Sequence, residues 1–158
     1  MARVVIIGGG WAGCGAALSA KAAGAEEVIV LERTDCLLGT GLVGGIYRNN
    51  GRQTAAEEAI AMGAGDLFEL MDSVARHKNV EFPGHKHANL YDVSLMEPTV
   101  LRYLRAKGID VRLMHRVYDA KHENGKISSV LVDDFGEIEG DVFIECTGTA
   151  GPQANCIK

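Results

Sequence analysis

The sequence predicts an α/β domain in which a parallel sheet covered by helices is joined to an antiparallel β-meander. Three observations predict it. The β-branched run Arg3–Ile7 is followed at once by glycines, an Ala-rich stretch and a second apolar run, Val28–Leu31, which is the order of a βαβ unit. Further on, Val117–His122 and Lys126–Val132 flank Asn124-Gly125, a strong short hairpin signal. The chain has 158 residues, enough for one domain to bury a core without disulfide staples.

The elements follow in order. Arg3–Ile7, RVVII, has the near-continuous apolar character of a strand buried on both faces. Ala12–Ala23 reads as a helix that Gly24 ends, and Val28–Leu31 as the second buried strand. Asp35–Gly51 is a glycine-rich stretch of turns. Thr54–His77 carries apolar residues at helical spacing (Ala55, Ala59, Met62, Leu67, Leu70, Met71, Val74), with a weak centre at Gly63 and Gly65. Asn79–Leu90, which contains Pro83-Gly84, reads as irregular. Ser94–Lys107 is a second amphipathic helix, with Pro98 placed in its first turn and Gly108 as its stop. Asp110–Met114, the two hairpin strands, a short strand near Glu137–Glu139 after the turn Asp134-Phe135-Gly136, and Val142–Cys146 complete the series. The domain is read as residues 1–158, with 46–92 as an insertion or partner-facing segment.

Composition excludes several classes. Net charge is -5 and the pI about 5.5, which leaves no basic surface for nucleic acid or an anionic membrane. Arg3 and the small apolar residues after it resemble the start of a signal peptide, but six glycines among residues 8–24 interrupt any apolar core. No run is long enough to span a bilayer. The four cysteines, at 14, 36, 146 and 156, form no CxxC pair, so reduced thiols and a cytoplasmic location are expected. Glycine is the anomaly: 20 of 158 residues, with only three prolines, which signals tight turns and close backbone approaches rather than a linker.

The chemistry lies in Gly8-Gly9-Gly10-Trp11-Ala12-Gly13, a G-x-G-x-x-G pattern. The pattern alone is weak. Here it follows a strand, opens a helix, and has Glu32 about 20 residues on, at the end of the next strand. Together these make a dinucleotide-binding, Rossmann-like reading. Gly8 allows the tight turn, Gly10 lets a pyrophosphate approach the backbone, and Gly13 lets helix and strand pack closely. Free N–H groups at the helix start favour phosphate charge, and Glu32 would accept hydrogen bonds from the adenosine ribose. These residues leave NAD and FAD both open.

Further motifs follow in sequence: Glu32-Arg33, then Leu38-Gly39-Thr40-Gly41-Leu42-Val43-Gly44-Gly45, and the meander, which has Val117 in its first strand and ends in Phe143-Ile144-Glu145-Cys146-Thr147-Gly148. In this order they resemble the FAD-dependent oxidoreductases of the two-dinucleotide-binding-domain superfamily, which includes glutathione reductase and the fumarate reductase-like subunits. The resemblance covers residues 3–151 and implies an FAD-binding domain of an oxidoreductase. It implies that Gly8, Gly10 and Gly13 hold the pyrophosphate, together with the adjoining Trp11 and Ala12. Glu32 would hold the ribose, with Arg33 beside the adenine end. The loop with Gly39, Thr40, Val43 and Gly44 would run under the pyrophosphate and ribityl chain. Val117 would touch adenine through its backbone, and Thr147 and Gly148 would meet the pyrophosphate from the last strand.

Two departures qualify what the resemblance implies. Gly41, Leu42 and Ile46 stand where disulfide reductases of the superfamily carry a cysteine pair, so a dithiol mechanism is not expected. The later Gly-Asp motif, whose aspartate binds the ribityl chain, is not visible after Thr149-Ala150-Gly151. Complete members are several times longer. The expectation is therefore a subunit or fragment whose flavin-ring and substrate side comes from a second protein chain. The alternatives are a non-catalytic assembly subunit with a vestigial nucleotide fold, and an NAD-binding domain. No catalytic acid or base is assigned.

Several residues remain open between packing and chemistry. Cys14 and Cys146 read as packing residues, Cys36 as a packing residue or one for redox or metal work, and Cys156 as a structural residue, a cluster ligand or a redox thiol. The H-x-H pair His85 and His87 falls short of a metal site and could instead face the flavin. Tyr47, Arg48 and Asn49 follow the glycine loop on the flavin-facing side. Trp11 either stacks near the cofactor or packs.

Overall fold

The computed structural model describes residues 2–49, 56–82 and 85–148. Its centre is a four-stranded parallel sheet in the order β10-β1-β2-β6, built from β1 (Arg3–Ile7), β2 (Glu27–Leu31), β6 (Asp110–Arg112) and β10 (Val142–Glu145). Alternation along the strands divides the side chains between two faces. Val4, Ile6, Val28 and Val30 face helices α1 (Trp11–Ala22), α3 (Asp66–Ser73) and α4 (Val93–Ala106), and pack on Ala17, Met71, Val100 and Leu104. Val5, Ile7, Ile29 and Leu31 face the meander of β7 (Val117–Glu123), β8 (Lys126–Val132) and β9 (Gly136–Glu139), and pack on Val130, Val132 and Ile138. Both faces of the sheet are therefore covered, which explains why its strands read as apolar runs. Each such side chain, once buried, contributes about 1.5–3 kcal/mol.

Turn chemistry places the boundaries. Gly24 (φ +90) and Gly108 (φ +73) end α1 and α4 in the left-handed region, where a Cβ is disfavoured. Asn124 (φ 51) and Gly125 (φ 77) form the primed turn of the β7–β8 hairpin. Asp92 caps α4 by accepting from the Ser94 N–H at 2.9 Å, and Tyr103 donates to Asp66 at 2.6 Å, tying α4 to α3.

Four expectations need correction. The helix expected over 54–77 is two helices, α2 (Ala56–Ala61) and α3, because the chain turns through Gly63 (φ +76). Residues 79–90, expected to be irregular, lie largely in an antiparallel hairpin of β4 (Ala75–Phe82) and β5 (His85–Tyr91), to which β3 (Arg48–Asn49) adds an edge. Polar, uneven patterning hid these strands, and the hairpin has register shifts that break its alternation. Pro98 stands inside α4 rather than in its first turn, since the Asp92 cap starts the helix at Val93. Val142–Glu145 pairs in parallel with β1 and does not continue the meander. Cys156 and residues 149–158 lie outside the described residues, as do the side chains of His85 and His87 in β5.

Candidate functional site

All four parallel strands end on one edge of the sheet, and the residues singled out by sequence gather there. The chain passes from β1 to β2 on one side of β1, and β10 pairs on the other. The loop after β1 therefore sits where the strand order reverses, the usual ligand crevice of an open α/β sheet.

The glycines of this loop have distinct reasons. Gly8 has φ +102, and a Cβ there would come 2.7 Å from the Cys146 carbonyl oxygen. A Cβ on Gly13 would overlap the Gly8 carbonyl oxygen, so Gly13 is what lets α1 approach β1. A Cβ on Gly9 would come 2.7 Å from Leu37 Cδ2. Gly10 differs from these three. Its φ of -67 and ψ of -177 suit any residue, and a Cβ would meet nothing within 4 Å. The chain's own packing does not demand this glycine, yet it stands at the N-cap of α1. No side-chain hydrogen bond caps that helix start, and no acidic residue occupies its first turn. The N–H groups at Trp11 and Ala12 begin the helix, where intrahelical acceptors are lacking.

Glu32 is buried, and its carboxylate is already engaged. Oε2 accepts from the Gly9 N–H at 2.7 Å, and Oε1 accepts from the Thr34 N–H at 2.8 Å and the Thr34 hydroxyl at 2.9 Å. Glu32 thus first fixes the glycine loop to the end of β2. A carboxylate offers about four acceptor positions, so about one remains, at Oε2. This loop-holding role was not legible from spacing. Arg33 beside it is exposed.

On the opposite side, Thr147 follows β10. Its N–H donates to Glu145 Oε1 at 2.6 Å, while its hydroxyl is buried and has no hydrogen-bond partner. Buried polar groups of this kind call for an explanation, and the backbone of this residue lies against Gly8. Gly148 (φ +80) is exposed beside it.

The second glycine loop joins the first. Leu38 donates its N–H to the Gly9 carbonyl at 2.8 Å, and Gly39, Thr40 and Gly41 form a short 3-10 turn next to Gly10. Val43 and Gly44 follow on the surface. The third group, at the end of β6, links to β2: the Met114 N–H donates to the Thr34 carbonyl at 2.9 Å and the His115 N–H to the Glu32 carbonyl at 2.7 Å. Val117, half-buried, begins β7 just beyond, with the half-buried His115 ring and the exposed Phe135 ring stacked at 3.8 Å.

Trp11 packs. Its ring lies 6.5 Å from Phe68 and 6.0 Å from Tyr91, and its indole nitrogen lies against Gly41 of the second glycine loop. Burial pushes the Cys14 thiol up to about 12, and its S–H lies 3.4 Å from the Gly9 carbonyl oxygen. Burial raises Cys36 and Cys146 as well, so all three remain thiols rather than thiolates at neutral pH.

The profile of the FAD dependent oxidoreductase family matches residues 3–151. The chain belongs to the FAD dependent oxidoreductase family. Its cofactor is FAD, and the site meets what FAD requires: a glycine with open space at an uncapped helix start, a buried carboxylate at the end of β2, and an unpartnered buried hydroxyl on Thr147, just after β10. Among solved structures, the family fold recurs in glycine oxidase from Bacillus cereus (TM-score 0.64, 14% identity, 94% of this chain and 56% of that one). It recurs in GidA from Aquifex aeolicus (0.67, 20%, 94% and 25%) and in CtdE in complex with FAD and a substrate (0.68, 19%, 98% and 40%). The chain therefore spans about half or less of the length of these proteins. Among the described residues, no helix is long and apolar enough to cross a membrane.

Proposed function

We propose that this chain is the FAD-binding part of a flavin-dependent oxidoreductase and that it holds the ADP half of the cofactor. The observation that carries this reading is Gly10. It is a glycine that the protein's own packing does not require, placed where a side chain would fill the space over the start of α1.

In this reading the pyrophosphate lies over Gly8, Gly10 and Gly13, and receives the N–H groups of Trp11 and Ala12. The α1 dipole favours its charge, and the Thr147 hydroxyl and Gly148 close the other side. Glu32 accepts one ribose hydroxyl at Oε2. Arg33 and the Val117 backbone border the adenine. Gly39, Thr40, Val43 and Gly44 lie beyond Gly10, under the ribityl chain. The flavin ring supplies the redox chemistry, while these residues bind and orient the cofactor.

The flavin-ring and substrate side would come from a second protein chain or from further sequence, consistent with the greater length of the similar structures. A cytoplasmic location would keep Cys14, Cys36 and Cys146 reduced. The test is FAD titration of the flavin-free protein, read by quenching of flavin fluorescence, with wild type and Gly10→Val compared. Saturable binding that Gly10→Val abolishes supports the reading, and equal binding by both overturns it.

A further inference from the structure

The loop Gly39–Ile46 lies beside Gly10, yet outside its 3-10 turn it belongs to no helix or sheet. Its internal hydrogen bonds are short-range: the Gly44 N–H donates to the Gly39 carbonyl at 3.3 Å, Gly45 to Leu42 at 3.1 Å and Ile46 to Thr40 at 3.1 Å. It begins after Leu38, a buried leucine at φ 74, where a β-substituent is disfavoured. Such a loop needs an anchor from elsewhere.

The anchor is the phenol of Tyr91, at the end of β5. Tyr91 Oη hydrogen-bonds to the Gly41 carbonyl and lies 3.0 Å from the Ile46 carbonyl, so both arms of the loop converge on one hydroxyl. The Trp11 ring packs on Tyr91 with centroids 6.0 Å apart, and its indole nitrogen lies against Gly41. Burial raises the Tyr91 phenol above its ordinary range, so it keeps its proton as a donor. The fit is tight: a Cβ on Gly41 would overlap Trp11 Nε1 and come 2.9 Å from Tyr91 Oη. The Tyr91 N–H also donates to the Tyr47 carbonyl at 3.2 Å, holding the chain just past the loop.

We infer that the Tyr91 hydroxyl, with the Trp11 ring packed against it, is a pin that sets the position of the Gly39–Ile46 loop against Gly10, and that Tyr91 is a positioning residue for the flavin half of FAD. The inference rests on the FAD reading above. The ribose end of the cofactor is fixed by Glu32, across Gly9 from the loop, so the pin should matter for the part of the cofactor beyond the pyrophosphate and not for ADP.

The experiment uses flavin-free wild type, Tyr91→Phe and Trp11→Phe. It measures amide hydrogen exchange together with the dissociation constants of FAD and ADP. In Tyr91→Phe the Gly44–Ile46 amides should exchange at least tenfold faster, while Val5–Ile7 in β1 remain protected. FAD affinity should fall about fivefold, as expected for one neutral hydrogen bond, with ADP affinity within twofold of wild type. If Tyr91→Phe loses protection in β1 as well, Trp11→Phe, which keeps an aromatic ring, must show the same loop-specific pattern. Equal losses of FAD and ADP affinity, or an unchanged loop with unchanged FAD affinity, overturn the pin. A wild type that binds neither nucleotide overturns the cofactor reading and the pin with it.

Discussion

The two glycine loops of this site meet at Gly10 but are held by different means. In Gly8–Gly13 the main restraint is crowded backbone: Gly13 must be small because the Gly8 carbonyl oxygen is against it, and Gly8 must be glycine because of its φ and the Cys146 carbonyl, while Glu32 holds Gly9. In Gly39–Ile46 the restraint comes from side chains outside the loop, the Tyr91 hydroxyl and the Trp11 ring. A loop fixed by its own backbone tolerates almost no substitution at the contact points. A loop fixed by distant side chains fails when those side chains are lost, even though its own sequence is intact.

Substitutions within the first loop test this most severely. Gly13→Val should destabilise the protein by about 4 kcal/mol or more, because α1 would have to leave β1. Chemical denaturation should show it, and a near-wild-type midpoint would refute the packing argument. Gly10→Val is the counterpart. Its stability should change by about 1 kcal/mol or less, since its backbone suits any residue, while FAD affinity should fall at least a hundredfold. If instead both variants lose stability equally, the distinction between packing glycines and the ligand-facing one disappears.

Glu32 lies between these cases, because it holds the loop and, in the proposed reading, accepts a ribose hydroxyl. Glu32→Ala should cost about 1–3 kcal/mol of stability through the unpaired Gly9 and Thr34 N–H groups. It should also lower FAD affinity roughly tenfold, as for one hydrogen bond to a charged group. Parallel melting and titration separate the two effects. Full stability with reduced affinity would mean that the Gly9 contact contributes nothing.

The smallest effect concerns the support of the second loop. Asp92, next to Tyr91, has its carboxyl lowered from 3.8 to about 2 by the Ser94 hydroxyl and by Arg76. A depressed carboxyl contributes stability that is fully present above about pH 4 and lost as pH falls through about 2. The wild type should therefore lose stability relative to Asp92→Asn over that interval, and parallel pH profiles for the two would remove Asp92 as a support.

The sequence by itself determined the βαβ unit, the covered parallel sheet, the meander hairpin and the glycine turn that opens α1. These features rest on local rules: an apolar run long enough to be a buried strand, glycines where φ is positive or atoms crowd, Asn-Gly at a primed turn, and an acidic residue at a fixed distance. Only the tertiary structure decided the rest. The β4–β5 hairpin was hidden because its pairing, with shifted register and polar residues, leaves no regular alternation to read. The packing of Trp11 depended on Phe68 and Tyr91, which are remote in sequence. The double duty of Glu32 and the unpartnered Thr147 hydroxyl exist only because β1, β2 and β10 end side by side. Hydrogen bonds between residues more than twenty positions apart depend on the relative placement of whole strands, and a window of neighbouring residues carries no record of that placement.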